Sequence, residues 1–339
     1  MRIQIVSDAW LPQINGVVRT LDTVRKELEA MGHVVSVLGP DRFRTMACPT
    51  YPKIRLALLP DRKLAREIDA FAPDAIHIAT EGPLGLSARS YCLKRGLPFT
   101  TSYHTKFPEY VRARVMFPEA WSYAILRRFH RPSSGVMVAT RSIRRELEAQ
   151  RFGNIRDWSR GVDLELFHPS RRAELDLPRP IFAFVGRVAV EKNLAAFLSL
   201  QLPGSKMIVG SGPQQNELQR RFPRAHFMGA RHGQDLARLV ATADVFVFPS
   251  RTDTFGLVML EALASGVPVA AFPVPGPIDV IADPKVGVLD EDLQQAALKA
   301  LHLKGEDCRA YAEQFTWRRT AEQFLSYLAP FNRAMASAA

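Results

Sequence analysis

Two carboxylates, two cations and a histidine are the residues of this chain whose types and spacing could do chemistry. The carboxylates lie in Phe248-Pro249-Ser250-Arg251-Thr252-Asp253-Thr254-Phe255-Gly256-Leu257-Val258-Met259-Leu260-Glu261-Ala262-Leu263-Ala264-Ser265-Gly266. The pattern predicts a buried strand, a loop, and a helix that opens near Phe255-Gly256 and stops at Gly266. The amino end of such a helix offers unpaired N–H groups and a positive dipole, which suit a phosphate. Gly256 lets that phosphate approach the backbone. Glu261 falls among Leu257, Val258, Ala264 and Ser265 at helical spacing. A carboxylate on an apolar face is costly unless something hydrogen-bonds it, and the hydroxyls of a sugar or ribose donate in pairs. The competing reading pairs Glu261 with an arginine and makes Asp253 a plain helix cap.

The cations follow a second apolar run, Phe182-Ala183-Phe184-Val185, where Gly186 turns and Arg187 and Lys192 stand five positions apart. Two cations beside a glycine turn suit a diphosphate, which leaves as an anion. A solvated basic loop is the alternative. The histidine is His104, at the end of the strand-like Thr100-Thr101-Ser102-Tyr103. A fourth loop, Asp8 to Val18, passes through Asn15-Gly16 into a helix and carries neither GxGxxG nor a Walker pattern. GxSxG is also absent. The triplet Asp290-Glu291-Asp292 runs into a polar helix and is expected to be solvated rather than a metal site.

These residues need elements to position them. The chain has 339 residues, more than a single core usually supports, so two domains are expected. Strand candidates Ile3–Val6, Val34–Leu38, Ile54–Leu58, Ala75–Ile78, Phe99–Ser102 and Val136–Ala139 alternate with helical patterns such as Val17–Met31. The same rhythm restarts at Ile181–Val185, Lys206–Val209, Ala225–Met228, Val245–Phe248 and Val267–Ala271. Alternation of this kind predicts two α/β domains with parallel sheets, 1–165 and 166–316, the first completed by a helix within 317–339. Ligands of open α/β sheets bind outside the carboxyl ends of the strands, which places a cleft between the two domains.

Hydrophobic residues make up 47% and charged residues 23%, as in ordinary globular proteins. Cys48, Cys92 and Cys308 are scattered, which argues against a disulfide framework or a structural zinc site and fits a reducing cytoplasm. The opening Met1–Asp8 is too short an apolar run for a signal peptide. No stretch reaches the ~20 apolar residues of a membrane span. The net charge is +11, and residues 1–165 carry +9 of it, with 26 Lys+Arg against 17 Asp+Glu. A basic face serves nucleic acid, an anionic membrane or mere solubility. No helix-turn-helix, RNA-binding or zinc signature supports nucleic acid.

Together the motifs resemble glycosyltransferase family 4, retaining enzymes of the GT-B fold, over nearly the whole chain. The resemblance rests on Asn15-Gly16-Val17, Tyr103-His104-Thr105, Gly161-Val162-Asp163 with Phe167 and Pro169, Gly186-Arg187 with Glu191-Lys192, Gly210-Ser211-Gly212-Pro213, and Phe248 through Gly266, all in the family's order. The family's two glutamates stand with seven residues between them; here the first is Asp253, shorter by one methylene, and the second is Glu261. The resemblance implies that Arg187 and Lys192 neutralise the donor diphosphate and that Glu261 holds the donor ribose. It further implies that Asp253, with Gly186, Thr254, Phe255, Gly256 and Leu257, addresses sugar and phosphate, that Asn15-Gly16 borders the donor, and that His104 contacts the donor sugar. The nucleotide sugar is then a co-substrate, UDP- or GDP-linked, with no cofactor or metal. The loop around Asp253 also resembles a subgroup that glycosylates diacylglycerol or mannosylates lipid-type acceptors. A mannosyltransferase with a soluble or polysaccharide acceptor, and a nucleotide-sugar epimerase, are the alternatives.

A lipid acceptor requires a docking face. Pro118 to Arg131 reads as a helix with Trp121, Ala124, Ile125 and Phe129 on one stripe and Arg127, Arg128 and Arg131 largely off it, after an upstream stretch with Arg112 and Arg114. Aromatic residues beside arginines suit the interface of an anionic bilayer, and the expected location is the inner face of the cytoplasmic membrane. An ordinary amphipathic core helix is the competing reading.

Overall fold

The computed structural model describes all residues except 14, 49–50, 105–118, 254 and 332–339, and of 51–54 and 119 the backbone alone. The chain divides into two compact units, Met1–Ser159 with Trp317–Ala339, and Arg160–Thr316.

The first unit contains β1 (Arg2–Val6), β2 (Val34–Leu38), β3 (Thr45–Cys48), β4 (Tyr51–Ala57), β5 (Ala75–Ile78), β6 (Thr100–Tyr103), β7 (Gly135–Val138) and β8 (Ile155–Asp157). Six of these form a parallel sheet in the order β2-β1-β5-β6-β7-β8. β5, β6 and β7 are buried along their whole length, as strands covered on both faces must be. The expected strand Ile54–Leu58 is not part of this sheet. Its residues belong mostly to β4, which pairs antiparallel with β3, Thr45 opposite Ala57. The helix Gly16–Ala30 buries Val18, Leu21, Val24 and Leu28 at helical spacing. The last helix, Trp317–Tyr327, packs against it. Its buried Phe324 lies edge-on to His77 with ring centres 4.8 Å apart, and the Trp158 indole N–H donates to Thr320 O at 3.1 Å.

The second unit contains β9 (Ile181–Val185), β10 (Ser205–Val209), β11 (His226–Phe227), β12 (Val245–Phe248), β13 (Val269–Ala271) and β14 (Gly287–Leu289). All run parallel in the order β11-β10-β9-β12-β13-β14. The order reverses between β9 and β12. β9 and β12 are buried at every position. The segment from Arg160 belongs to this unit, so the first boundary falls after residue 159 rather than 165. Its attachment explains the shift. Val162 bridges to Thr316, Phe167 is buried, and Arg309 Nη1 donates to the carbonyls of Leu164, Phe167 and Ala264 at 3.1, 2.9 and 3.0 Å.

Candidate active site

In the second unit the predicted residues gather where the strand order reverses, at the carboxyl ends of β9 and β12. That is where open α/β sheets hold their ligands. After β9, the turn from Gly186 to Val188 zips onto the loop after β10. Gly186 N donates to Val209 O and Val188 N to Ser211 O, both at 3.0 Å. The fit requires glycine: a Cβ at Gly210 would overlap Gly186 O, and one at Gly212 would overlap Val188 O.

The loops after β9 and β12 are stitched together. Asn193, left-handed at φ 53°, donates from Nδ2 to Pro249 O at 3.1 Å. The buried Ser250 hydroxyl donates to Glu191 O at 3.2 Å. Lys192 Nζ donates to both oxygens of Asp253, at 2.5 and 2.7 Å, with each side chain about a fifth exposed. This ion pair decides one alternative. Asp253 is not the cap of the following helix; its carboxylate is committed to Lys192, and Gly256, at φ 82°, holds the cap position of Leu257–Ala264. Phe255 is buried beside it. Arg187 is half-exposed and only 3.9 Å from Glu191 Oε1, a loose contact. Thr254 lies outside the described residues.

Glu261 is 2% exposed, on a helix whose Met259, Leu260, Ala262, Leu263 and Ala264 are all buried. A carboxylate in such a place is kept only with hydrogen-bond or ionic partners, because stripping its hydration is costly. We expect Glu261→Gln to fold and to raise the donor KM, since an amide presents one acceptor oxygen where a carboxylate presents two. Steady-state kinetics checks this; unchanged KM and kcat would remove Glu261 from the site.

The acidic triplet is structural. Glu291 pairs with Arg251 at 3.0 Å, Asp290 with Lys299 at 3.3 Å, and Asp292 caps the helix Leu293–Ala300 through Gln294 N and Gln295 N. The Asp290 carboxyl sits below its usual range because the Asp292 N–H and then Lys299 hold its charged form. Among the described residues no three His, Cys, Asp or Glu side chains group as a metal site would.

The first unit presents its residues at the same end of its own sheet. Asn15 caps the helix Gly16–Ala30, its Oδ1 accepting from Val17 N and Val18 N at 3.0 Å. Its side chain is therefore occupied, whereas the space over Gly16 is open. Asp8 is buried and turned inward. Its carboxylate accepts from the Thr80 hydroxyl at 2.9 Å, from Leu84 N at 2.9 Å and from Gly85 N at 3.3 Å, capping the helix Pro83–Lys94. Burial raises its pKa against the pull of these bonds. His104 Nε2 lies 2.8 Å from Ser102 Oγ, and its ring meets Trp158 edge-on at 5.7 Å.

The docking helix, Glu119–His130, needs a correction. Phe129 is 4% exposed and packs in the core with Leu84, Ala88 and Phe99. Arg127 is turned inward too, donating to Gln150 O at 2.9 Å. The reason is helical phase: Phe129 lies about 80° round from Trp121, Arg128 only about 20°. The exposed face is Trp121, Ala124, Ile125 and Arg128, with Arg131 just beyond. Trp121 is 67% and Ile125 60% exposed. Arg112 and Arg114 lie outside the described residues.

Sequence reasoning missed Ser250, Asn193, Ser102 and His77. For Ser102 a signal was present: Thr100, Ser102 and His104 alternate along one strand and must share a face.

Comparison with known proteins gives the family and the fold. Residues 14–166 match the family described as "Glycosyltransferase Family 4", and 179–304 match "Glycosyl transferases group 1". A "GDP-mannose-dependent alpha-mannosyltransferase" of Mycobacterium tuberculosis is 32% identical over 315 residues, covering 85% of this chain and 83% of that one. This chain belongs to glycosyltransferase family 4. An "Alpha-monoglucosyldiacylglycerol synthase" of Streptococcus pneumoniae is 26% identical over 89% of the family 4 chain and 78% of its own. The crystal structure of Anabaena HepE in complex with UDP superposes with a TM-score of 0.70 over 96% of this chain and 99% of that one, at 14% identity, and fixes the fold as GT-B. The enzyme is a nucleotide-sugar glycosyltransferase with a GT-B architecture.

Proposed function

We propose that this glycosyltransferase moves a hexosyl group from a UDP- or GDP-linked donor to a membrane lipid such as diacylglycerol, with retention of configuration and without a metal ion. The bond between C1 and the diphosphate oxygen breaks while the acceptor oxygen bonds to C1 on the same face. The acceptor proton passes to the leaving phosphate oxygen, so no protein nucleophile is required. Arg187 and Lys192 meet the charge that grows on the diphosphate. Glu261 holds the ribose. Asp253 and the backbone of Phe255, Gly256 and Leu257 address sugar and phosphate, and His104 contacts a hydroxyl of the sugar. GDP-mannose is the first donor to test, on the strength of the mycobacterial relative, and diacylglycerol the first acceptor, on the strength of the streptococcal one.

The observation that carries the lipid acceptor is the exposed Trp121, Ile125 and Arg128 face. Large apolar side chains on a basic unit, standing in solvent beside arginines, match what an interfacial helix buries in an anionic bilayer. Among the described residues no helix is long and apolar enough to cross a membrane, so the proposed association is peripheral, on the inner face of the cytoplasmic membrane. Sedimentation with anionic liposomes at low salt should pellet the protein; neutral liposomes or high salt should release it. Trp121→Glu should release it too. Equal, negligible pelleting with both lipids would leave a soluble or polysaccharide acceptor as the better reading. The donor is found by thermal shift: at about 100 Kd a true donor adds roughly 2.7 kcal/mol of stability.

A further inference from the structure

The strand order of the first unit reverses between β1 and β5, since β2 lies to one side of that pair and β6, β7 and β8 to the other. Open α/β sheets hold ligands in the crevice outside the carboxyl ends at such a reversal. The loops that flank it here begin at Ser7 and Ala79. Most of their polar groups are turned inward. The Ser7 hydroxyl donates to Ala9 O and Asp8 N donates to Thr80 Oγ1, both at 2.7 Å, while the Asp8 carboxylate caps Pro83–Lys94. Glu81 is the exception. Its side chain is 24% exposed, and among the described residues only its Oε1 has a partner, His130 Nε2 at 3.2 Å.

A carboxylate accepts, so His130 donates to it through Nε2. The imidazole is itself held from all sides. It is 1% exposed, its Nδ1 lies 2.9 Å from Thr101 Oγ1, and the rings of Phe129, Phe152 and Tyr103 stand around it with centres at 5.0, 5.9 and 6.3 Å. A ring gripped in this way fixes Oε1 of Glu81 and leaves Oε2 as a preset acceptor beside the crevice. The helix Pro83–Lys94 makes no use of Glu81, because Asp8 already supplies the acceptor for Leu84 N and Gly85 N. Burial raises the Asp8 pKa, and the neighbouring Glu81 charge adds to the rise, so negative charge gathers here on a unit that is basic as a whole.

We propose that Glu81 is an acceptor-binding residue and that His130 is the positioning residue that holds it. Oε2 receives a hydrogen bond from a hydroxyl of the acceptor as the acceptor docks, and the same charge turns away a molecule that carries a phosphate near that hydroxyl. The acceptor class is then a neutral hydroxyl-bearing group, such as the free hydroxyl of diacylglycerol or of a sugar, and not a phosphorylated headgroup. The contact belongs to docking. The hydroxyl proton leaves for the phosphate of the donor as the acceptor oxygen bonds to C1, so the hydrogen bond to Glu81 is given up before the transition state and adds to binding alone. The inference rests on the proposed transfer to an acceptor bound by this unit, and it does not need that acceptor to be a lipid.

The test is steady-state kinetics of the full chain at saturating donor with three acceptors: diacylglycerol and phosphatidylinositol, each in micelles of a non-ionic detergent, and methyl α-mannoside in solution. On a neutral acceptor Glu81→Ala should raise the acceptor KM about tenfold, near the lower end of what a hydrogen bond to a charged group is worth. Its kcat should stay within about twofold, and the thermal shift given by the donor should not change. Glu81→Gln keeps an oxygen and drops the charge, so it should raise that KM less and raise kcat/KM on phosphatidylinositol about tenfold. His130→Ala should copy Glu81→Ala, and His130→Gln, which restores an N–H, should recover most of the loss. Transfer to methyl α-mannoside alone removes the lipid reading, and the same shifts are then expected on that sugar. A preference of the unsubstituted protein for phosphatidylinositol overturns the proposal. So does an acceptor KM that Glu81→Ala leaves unchanged. If the buried His130 variants fail to fold, the two Glu81 variants, altered at a partly exposed side chain, decide the matter.

Discussion

Lys192→Ala is expected to lower kcat by about 10² to 10³-fold while raising the donor KM much less, the loss typical of a preorganised contact to charge that develops in the transition state. The diphosphate carries more charge as it leaves than when it is bound as an ester, so a cation beside it stabilises the transition state preferentially. The geometry makes Lys192 the larger of the two cationic effects. Its Nζ is held by both oxygens of Asp253 on a loop stitched to its own by Asn193 and Ser250, so the charge is already in place before the donor arrives. Arg187 is half-exposed with Glu191 loosely beside it, and Arg187→Ala should fall at the lower end of the range. Lys192→Arg should rescue only in part, because a guanidinium can still pair with both Asp253 oxygens but spreads its charge over a longer planar group in place of the compact ammonium beside the diphosphate. Single-turnover and steady-state kinetics with the donor identified by thermal shift separate the terms. Equal changes in kcat and KM would place both cations in ground-state binding instead.

Asp253 shows what the shorter carboxylate does in this chain. Read from sequence alone, the missing methylene only reduced its reach toward the sugar. In the structure that reach is used on Lys192, and the pair needs no longer side chain. The two positions are sixty-one apart in sequence, and neither composition nor local pattern reveals that they meet. What sequence did reveal was their common place in the fold. β2, β5, β9 and β12 occupy the residues expected of them, because continuous apolar runs ended by polar loops leave a parallel strand few other registers. Once two such runs end beside Gly186 and Pro249, the reversal of strand order brings their loops together.

Where the pattern is ambiguous the expectation failed. Ile54–Leu58 has the composition of a sheet strand, yet its partner is the neighbouring β3, for which nothing in the apolar pattern distinguishes a hairpin from a crossover. β8 and β14 are three residues each, too short for any period to show. An aromatic residue two turns from Trp121 looks aligned with it in sequence, which puts Phe129 on the Trp121 stripe; the 3.6-residue repeat carries it into the core instead. The exposed stripe that remains is narrower and more basic.

The acid limb of stability should be set in part by His77. Its ring is buried between Trp158 and Phe324, and desolvation pushes its pKa from 6.5 to about 3. In the unfolded chain the same imidazole takes up a proton near pH 6.5. Between these values the unfolded state binds the extra proton and the folded state does not, so stability falls as pH falls. The slope approaches about 1.4 kcal/mol per pH unit, and the loss between pH 7 and pH 5 is about 2 kcal/mol. Ordinary carboxylates scarcely titrate in that window. His33, whose pKa is also lowered by partial burial and then by the N-terminal charge, acts in the same direction. His77→Gln removes the titrating group and keeps an amide that can bond Thr100 and Ser102. Urea unfolding at pH 7 and pH 5 is therefore expected to show most of the drop in the unsubstituted protein and little of it in the variant. The same drop in both would mean that His77 is already protonated in the folded chain, or that the loss belongs to another group.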